Sequence, residues 1–457
     1  MKRPWTLLIL LILLLIALFP GTFDPYQVTG EESLAGQARG LVNWVQSAIR
    51  PQPRLAPDAV ETTTDVPLFG INAFLQSEVL PEVREESLRR LQDAGIGMIR
   101  QEFPWEDIEI HGKGDFMDRR NLEAVGEISA WDKYDNIIEL AEQYDIEILA
   151  RLGNPPAWSR AAGDTLGTQA PPDNYADFAD FVRAVVSRYR GRITYYQIWN
   201  EPNIYPEWGE QIPDPIAFTD LLCRAYAAAK EADPLAVIVA PALGPTIALD
   251  ARDKNDLYYL QRMYLAGAGE CFDIFSAQGY GLFSGPTDHR LLPTVMNYPH
   301  HLYIRDLMVR HGDGDKPVWL SEMNWNAAAP ELPADYGRVT EAQQAQYIVE
   351  AYQRAQREWP WVEAINVWFF KRAGESERNQ SWYYFRLMEP DFSPLPAFES
   401  LAAYATSVAA EREEPLPAYW YTWVRVRPTV ALLLAGLLLW GTLGYLAPPE
   451  LARERSG

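Results

Sequence analysis

From residue 66 to about residue 408, short apolar runs alternate with longer stretches in which apolar residues recur near every 3.6 positions, the signature of parallel β/α units. The runs predict eight strands: Leu68 to Ala73, Met98 to Glu102, Glu147 to Leu152, Thr194 to Trp199, Val237 to Ala240, Ile274 to Gln278, Val318 to Glu322 and Ile365 to Phe369. The periodic stretches predict helices over Glu82 to Ala94, Lys133 to Tyr144, Tyr175 to Tyr189, Phe218 to Ala232, Leu257 to Leu265, His301 to His311, Ala342 to Arg357 and Pro396 to Ser407. Strands covered by helices on both faces should be continuously apolar, and runs such as IFSA and INVWFF behave that way. A doubly wound open sheet is the competing architecture. Eight units in regular succession, without a glycine-rich dinucleotide loop, favour closure into a (β/α)8 TIM barrel.

Two further patterns lie at the ends of the chain. After Lys2 and Arg3, residues 4–23 carry no charge until Asp24 and are dominated by leucine and isoleucine, long enough to cross a hydrocarbon core of about 30 Å as a helix. This run is either a cleaved signal peptide or an uncleaved signal-anchor, and the absence of a small-residue cleavage site favours the anchor. A second uncharged run between Arg427 and Glu450, residues 428–449, predicts a transmembrane helix. It is preceded by Tyr419, Trp420, Tyr421 and Trp423, rings of the kind that sit at headgroup level. The domain reading is therefore 1–23 signal-anchor or signal peptide, 24–65 linker with one short helix around Leu41 to Ile49, and 66–408 barrel. It continues as 409–427 juxtamembrane linker, 428–449 transmembrane helix and 450–457 short cytoplasmic tail. The basic n-region stays inside by the positive-inside rule, so the barrel is expected on the extracytoplasmic side, tethered to the membrane.

Charge narrows the partners. Sixty-two acidic against forty basic residues give a formal charge of −22, the wrong sign for gripping phosphate backbones, so nucleic acid is not expected. The two cysteines, Cys223 and Cys271, are too widely spaced for a compact zinc site, and the sequence leaves open whether they meet as a disulfide. No metal and no cofactor are implied, and the oligomeric state is not readable.

In a closed β/α barrel, chemistry gathers at the carboxyl ends of the strands, where the β-to-α loops converge. The fourth strand, ITYYQIW, ends in Asn200, Glu201, Pro202 and Asn203, and the seventh, KPVWLS, ends in Glu322, Met323, Asn324 and Trp325. Two glutamates so placed face each other across a barrel mouth, and two buried carboxylates without a purpose would be costly. At about 5 Å one could act as nucleophile and the other as acid and then base. A gap of about 6.5 to 9.5 Å would instead admit water and invert configuration.

The motifs WNEPN at Trp199 to Asn203 and SEMNW at Ser321 to Trp325 resemble those of the large clan of β/α-barrel retaining glycoside hydrolases, clan A, nearest in look to families 39 and 5. The resemblance implies a glycosidase acting on O-glycosyl bonds of a poly- or oligosaccharide, with Glu201 as acid/base and Glu322 as nucleophile, which the terminal runs would anchor to the membrane. It implies that Asn200 contacts the sugar 2-hydroxyl, that Arg100 and Tyr280 hold the nucleophile ionised and oriented, and that Trp368 floors the sugar site. One departure stands out: the sixth strand offers Gln278 before Gly279 and Tyr280, where some families place a histidine. Among the strand-end aromatics, Trp105, Trp158, Tyr205, Trp208 and Trp325 are expected to stack against sugar faces, Trp158 and Trp325 above all. No series of arginines accompanies these loops, so the substrate is expected to be neutral or modestly acidic rather than a heavily charged polyanion.

The main alternative is a non-catalytic, membrane-anchored polysaccharide-binding barrel in an envelope or exopolysaccharide assembly. Such a protein would keep the aromatics but has no need of both glutamates. A metal-dependent hydrolase would want His or Asp ligands at strand ends, and the five histidines fall in loops or a helix. A serine triad lacks a placed histidine.

Overall fold

The structure, a computed structural model, describes residues 7–12, 14, 25–55, 66–408, 430, 433–440 and 442. Among these residues no helix is long and apolar enough to cross a membrane. The expected spans, 1–23 and 428–449, lie for the most part outside the described residues, as do the linker 409–427 and the tail 450–457.

All eight expected strands form: β1 Phe69–Ala73, β2 Met98–Pro104, β3 Glu147–Gly153, β4 Tyr195–Ile198, β5 Val237–Val239, β6 Phe275–Gln278, β7 Val318–Met323 and β8 Val362–Val367. They pair in parallel in the order β5-β4-β3-β2-β1-β8-β7-β6. The remaining gap between β5 and β6 is bridged by the parallel pair Val239 and Ile274, where the Ala240 N–H donates to Ile274 O at 2.8 Å, so the ring closes. The outer helices are α1 Pro81–Asp93, α2 Asp132–Gln143, α3 Tyr175–Arg188, α4 Pro215–Ala232, α5 Asp256–Leu265, α6 His301–Arg310, α7 Glu341–Glu358 and α8 Pro396–Val408.

Local chemistry sets where these helices begin. Asp214 caps α4 by accepting from the Ile216 and Ala217 N–H groups, and Pro215 occupies the first turn, where a missing N–H costs nothing. Thr340 and Gln343 form a reciprocal capping box at α7. The inward stripe of α3, Phe178, Phe181, Val182, Val185 and Val186, is buried, each side chain contributing about 1.5–3 kcal/mol. At the amino-terminal end the barrel is plugged by Met98, Leu149, Val239, Ile274, Trp319 and Ala364. With that end filled, the opposite end is free for chemistry.

Two boundaries differ from expectation for a physical reason. β8 starts at Val362 and ends at Val367, three residues ahead of the predicted start, because Glu363 is a strand residue whose carboxylate is buried against the Trp319 indole N–H at 3.2 Å. A charge inside an apolar run hides the strand from pattern reading. The helix expected around Leu41 to Ile49 instead spans Leu34–Ala48, N-capped by Ser33, whose hydroxyl accepts from the Gly36 N–H at 3.1 Å. Gly36 and Gly40 disguise its first half. A Cβ at Gly40 would fall 2.7 Å from Thr29 side-chain carbons, so the low-propensity residue is required by close packing.

That helix belongs to a separate compact unit comprising residues 1–52, 287–292 and 415–457, the barrel unit being 53–286 and 293–414. Within the small unit, Arg290 pairs with Asp288 at 2.7 Å and Glu31 at 3.2 Å. Within the barrel unit, Cys223 of α4 and Cys271, a few residues before β6, form a disulfide with Cα atoms 4.9 Å apart, which settles the pairing the sequence left open.

Candidate active site

The fourth strand delivers its glutamate through an unusual backbone. Trp199 and Glu201 have φ of +67° and +36°, left-handed conformations that bulky residues avoid at a cost of about 1–3 kcal/mol each. Several contacts hold the turn: Trp199 N–H to Leu152 O at 2.8 Å, Glu201 N–H to Ala242 O at 3.0 Å, and the Trp199 indole to Glu207 O at 2.7 Å. The buried Asn203 side chain ties the same loop to the segment after β5, donating to Gly244 O and Lys254 O and accepting from the Gly244 N–H. Strain retained under such restraint is the mark of a position selected for where it points.

Glu322, buried near the end of β7, has both carboxylate oxygens engaged. Oε1 accepts from Arg100 Nη1 at 2.7 Å, and Oε2 accepts from the Tyr280 hydroxyl at 2.7 Å and from Gln278 Nε2 at 3.2 Å. The same Gln278 amide nitrogen donates to Glu201 Oε1 at 2.8 Å. Two acceptors held 2.8 and 3.2 Å from one nitrogen can be no farther apart than the sum of those distances, 6.0 Å. At the ~120° spread of an amide's two N–H bonds they lie about 5 Å apart. The two carboxyl groups therefore converge on one spot.

Arg100 is buried and spends every arm of its guanidinium inside the barrel. Nε donates to Gln197 Oε1 at 2.6 Å, Nη1 also to Asn72 Oδ1 at 2.8 Å, and Nη2 to Asn200 Oδ1 at 2.7 Å. Gln197 passes the network on to Ser276 Oγ at 2.8 Å, and Asn72 to Ser321 O at 2.9 Å. One cation thus locks side chains from β1, β2, β4 and β7 together. Replacing Arg100 with Ala should strand the Glu322 charge and three amide acceptors in a dry interior, a loss of about 3–5 kcal/mol. A denaturant midpoint unchanged from that of the parent protein would show the pair to be dispensable.

The surroundings of Glu201 raise its proton affinity. Burial, then the nearby Glu322 and Glu207 charges, push Glu201 up to about 8, so it carries a proton at neutral pH. Glu322 faces the Arg100 charge directly. Glu201 is thereby set to give up a proton, while Arg100 anchors Glu322 beside it.

These groups floor a cleft of about 590 Å³ lined, among others, by Phe74, Asn200, Glu201, Glu207, Tyr280, Glu322, Tyr336, Trp368, Trp382 and Phe385. Trp368 follows β8 and stands edge-on to Phe74 at 5.4 Å, so of the predicted set Glu201, Glu322, Arg100, Asn200, Tyr280 and Trp368 are brought together. Trp325 and Trp158 are not. Trp325 is fully buried, its indole donating to Ser284 O at 2.7 Å, and Trp158 gives its N–H to Glu109 O at 2.7 Å and packs edge-on against Trp105. Neither lines the cleft, and Trp105 and Trp208 are core residues as well. Of the expected rings Tyr205 does stand at the cleft rim, joined there by Tyr336 and Trp382; the three are 40%, 42% and 37% exposed.

Sequence reasoning missed Asn72, Gln197 and Glu207, and saw Gln278 only as a departure. The first two had a signal: a lone amide in each of the strands FGINA and YYQI, where an apolar side chain would be expected to pack. Glu207 lies in a loop, and nothing in the sequence marks it. Among the described residues no cluster of His, Cys, Asp and Glu is arranged to hold a metal ion.

No protein-family model matches the sequence, and no curated protein does. Among solved structures, the chain superposes on a family 39 glycoside hydrolase from the gut symbiont Bacteroides cellulosilyticus WH2 at 19% identity with a TM-score of 0.55. That match covers 75% of this chain and 64% of that one, so less than two thirds of the relative's length. A GH5_18 protein from Streptomyces cattleya, in complex with Manβ1-4GlcNAc, matches at 16% identity and TM-score 0.57, over 77% of this chain and 83% of that one. A GH39 β-xylosidase from Caulobacter crescentus matches at 18% identity and TM-score 0.50, over 78% and 72%. At these identities the likeness lies in the fold.

Proposed function

We propose that this chain is a retaining glycoside hydrolase that cleaves O-glycosidic bonds of a poly- or oligosaccharide by double displacement. The observation that carries the reading is the single Gln278 amide reaching both Glu201 and Glu322, which holds their facing oxygens within 6.0 Å of each other and so favours the close spacing of a retaining pair. Solved glycoside hydrolases of families 39 and 5 with the same fold support it.

In the proposed first step a Glu322 oxygen attacks the anomeric carbon while Glu201 passes its proton to the departing oxygen, leaving a glycosyl ester on Glu322. In the second step Glu201, now a carboxylate, takes a proton from water. The water oxygen displaces Glu322 and the starting protonation is restored. Arg100 and Tyr280 hold Glu322 in line, and the Trp368 ring offers a flat wall to the sugar. The apolar runs at 4–23 and 428–449 support tethering of this domain to the outer side of a membrane.

The stereochemical outcome tests the proposal. Proton NMR of the first-formed sugar during hydrolysis of an aryl glycoside should show the anomer of the substrate before mutarotation. The opposite anomer would mean that water, not Glu322, attacks directly.

A further inference from the structure

Among the acidic groups of the cleft that the double displacement does not use, Glu207 lies nearest the network that holds the nucleophile. Glu207 lines the cleft beside the catalytic pair and forms no ion pair among the described residues. The one hydrogen bond to its carboxylate among the described residues comes from Asn200 Nδ2 at 3.1 Å. Of the two arginines in the lining, Arg151 is committed to Glu102 and Arg372 to Glu377 at 2.9 Å. The position of Glu207 is fixed relative to the nucleophile, because Arg100 holds Glu322 with one terminal nitrogen and Asn200 with the other.

A sugar whose anomeric carbon sits over Glu322 presents two flanks, the ring oxygen and the substituent on C2. The ring oxygen only accepts hydrogen bonds and would be repelled by a carboxylate, so the flank beside Asn200 and Glu207 is the C2 side. Tyr280, a hydroxyl donor on the other oxygen of Glu322, suits the ring-oxygen flank. The group on C2 must then be a donor. A hydroxyl would leave the half-buried carboxylate with only the Arg151 charge, which Glu102 already engages directly, whereas an ammonium would pair with it face to face. Burial pushes Glu207 up to about 7 despite the pull of Arg151 and Asn200, so its anion gains most from a cation delivered by the ligand. The rim repeats the theme. Asp253 stands by Tyr205, accepting from its backbone N–H at 2.9 Å, and Asp335 adjoins Tyr336; neither has an ion-pair partner among the described residues.

We propose that Glu207 is a specificity-determining residue and that the substrate class is a glycan of 2-amino-2-deoxy sugars carrying free, protonated amino groups. The inference rests on the glycosidase reading and sharpens it.

The full chain, in detergent, is assayed on β-1,4-glucosamine oligomers, their fully N-acetylated counterparts and neutral gluco-oligomers. We expect kcat/KM to favour the free-amine series over both others by about 10- to 100-fold, the worth of one charge-assisted hydrogen bond. In Glu207→Gln the amine-to-neutral ratio should fall by about 10-fold or more, and a ratio is insensitive to how much of the variant folds. In the parent protein the preference should fade as pH rises and the substrate amine loses its proton. Hydrolysis of neutral or N-acetylated oligomers with equal or greater efficiency would overturn the inference while leaving the glycosidase intact. Absence of turnover on every oligomer and on aryl glycosides would overturn the underlying reading instead.

Discussion

Glu322→Gln is expected to abolish turnover, with kcat reduced on the order of 10⁵-fold or more, because removing a covalent nucleophile removes the whole first displacement. The substitution keeps the shape of the side chain and one acceptor for Arg100, so glycan affinity should survive better than rate. Labelling gives a direct readout. A 2-fluoro glycoside with a good leaving group slows the second step more than the first and should leave a sugar ester on the peptide that contains Glu322. A label on any other residue, or a Glu322→Gln protein that turns over near the parent rate, would remove the nucleophile from the scheme.

The second large effect concerns Glu201 and depends on the substrate. Glu201→Gln should lower kcat on the order of 10²- to 10⁴-fold for oligosaccharides, whose leaving alkoxides need a proton. It should spare much of the first step for a dinitrophenyl glycoside, whose leaving group needs none. Azide then takes the place of base-activated water and should yield a glycosyl azide with the configuration of the substrate. The pH profile carries the same assignment. A carboxyl group raised to about 8 holds its proton below that pH and loses it above, so the activity of the parent on oligosaccharides should decline as pH rises through about 8. That limb should vanish in Glu201→Gln. A basic limb that persists in the variant would assign it to another group.

Much of this could be read from residue order alone. The eight strands and eight helices follow from the switch between continuous apolar runs and 3.6-residue periodicity, and each expected element is present within a few residues. Glu201 and Glu322 could be placed because strand ends of a closed barrel converge. What could not be read was direction. Trp325 directly follows the Asn324 that ends the SEMN run, yet its ring turns inward against Tyr298 and Tyr347. Tyr336 and Trp382, far from any strand end in sequence, stand at the rim of the cleft. An aromatic residue signals apolar area but not the side of the backbone on which a loop will leave it. Gln278 shows the converse. Its residue type reads as an anomaly, and only the positions of the two glutamates reveal that one neutral amide spans both.

The ring of strands has a single narrow overlap, β5 against the start of β6, where three residues and one bridge complete the circle. The Cys223–Cys271 bond joins the helix before β5 to the segment before β6, like a clasp fastened over the thinnest point of a hoop. Cross-linking over 48 positions removes freedom from the opened chain worth about 4 kcal/mol in the loop-entropy picture. The seam of the barrel is therefore secured by a bond that thiol-rich surroundings would undo, so reduction should loosen the closure of the ring before any other part of it.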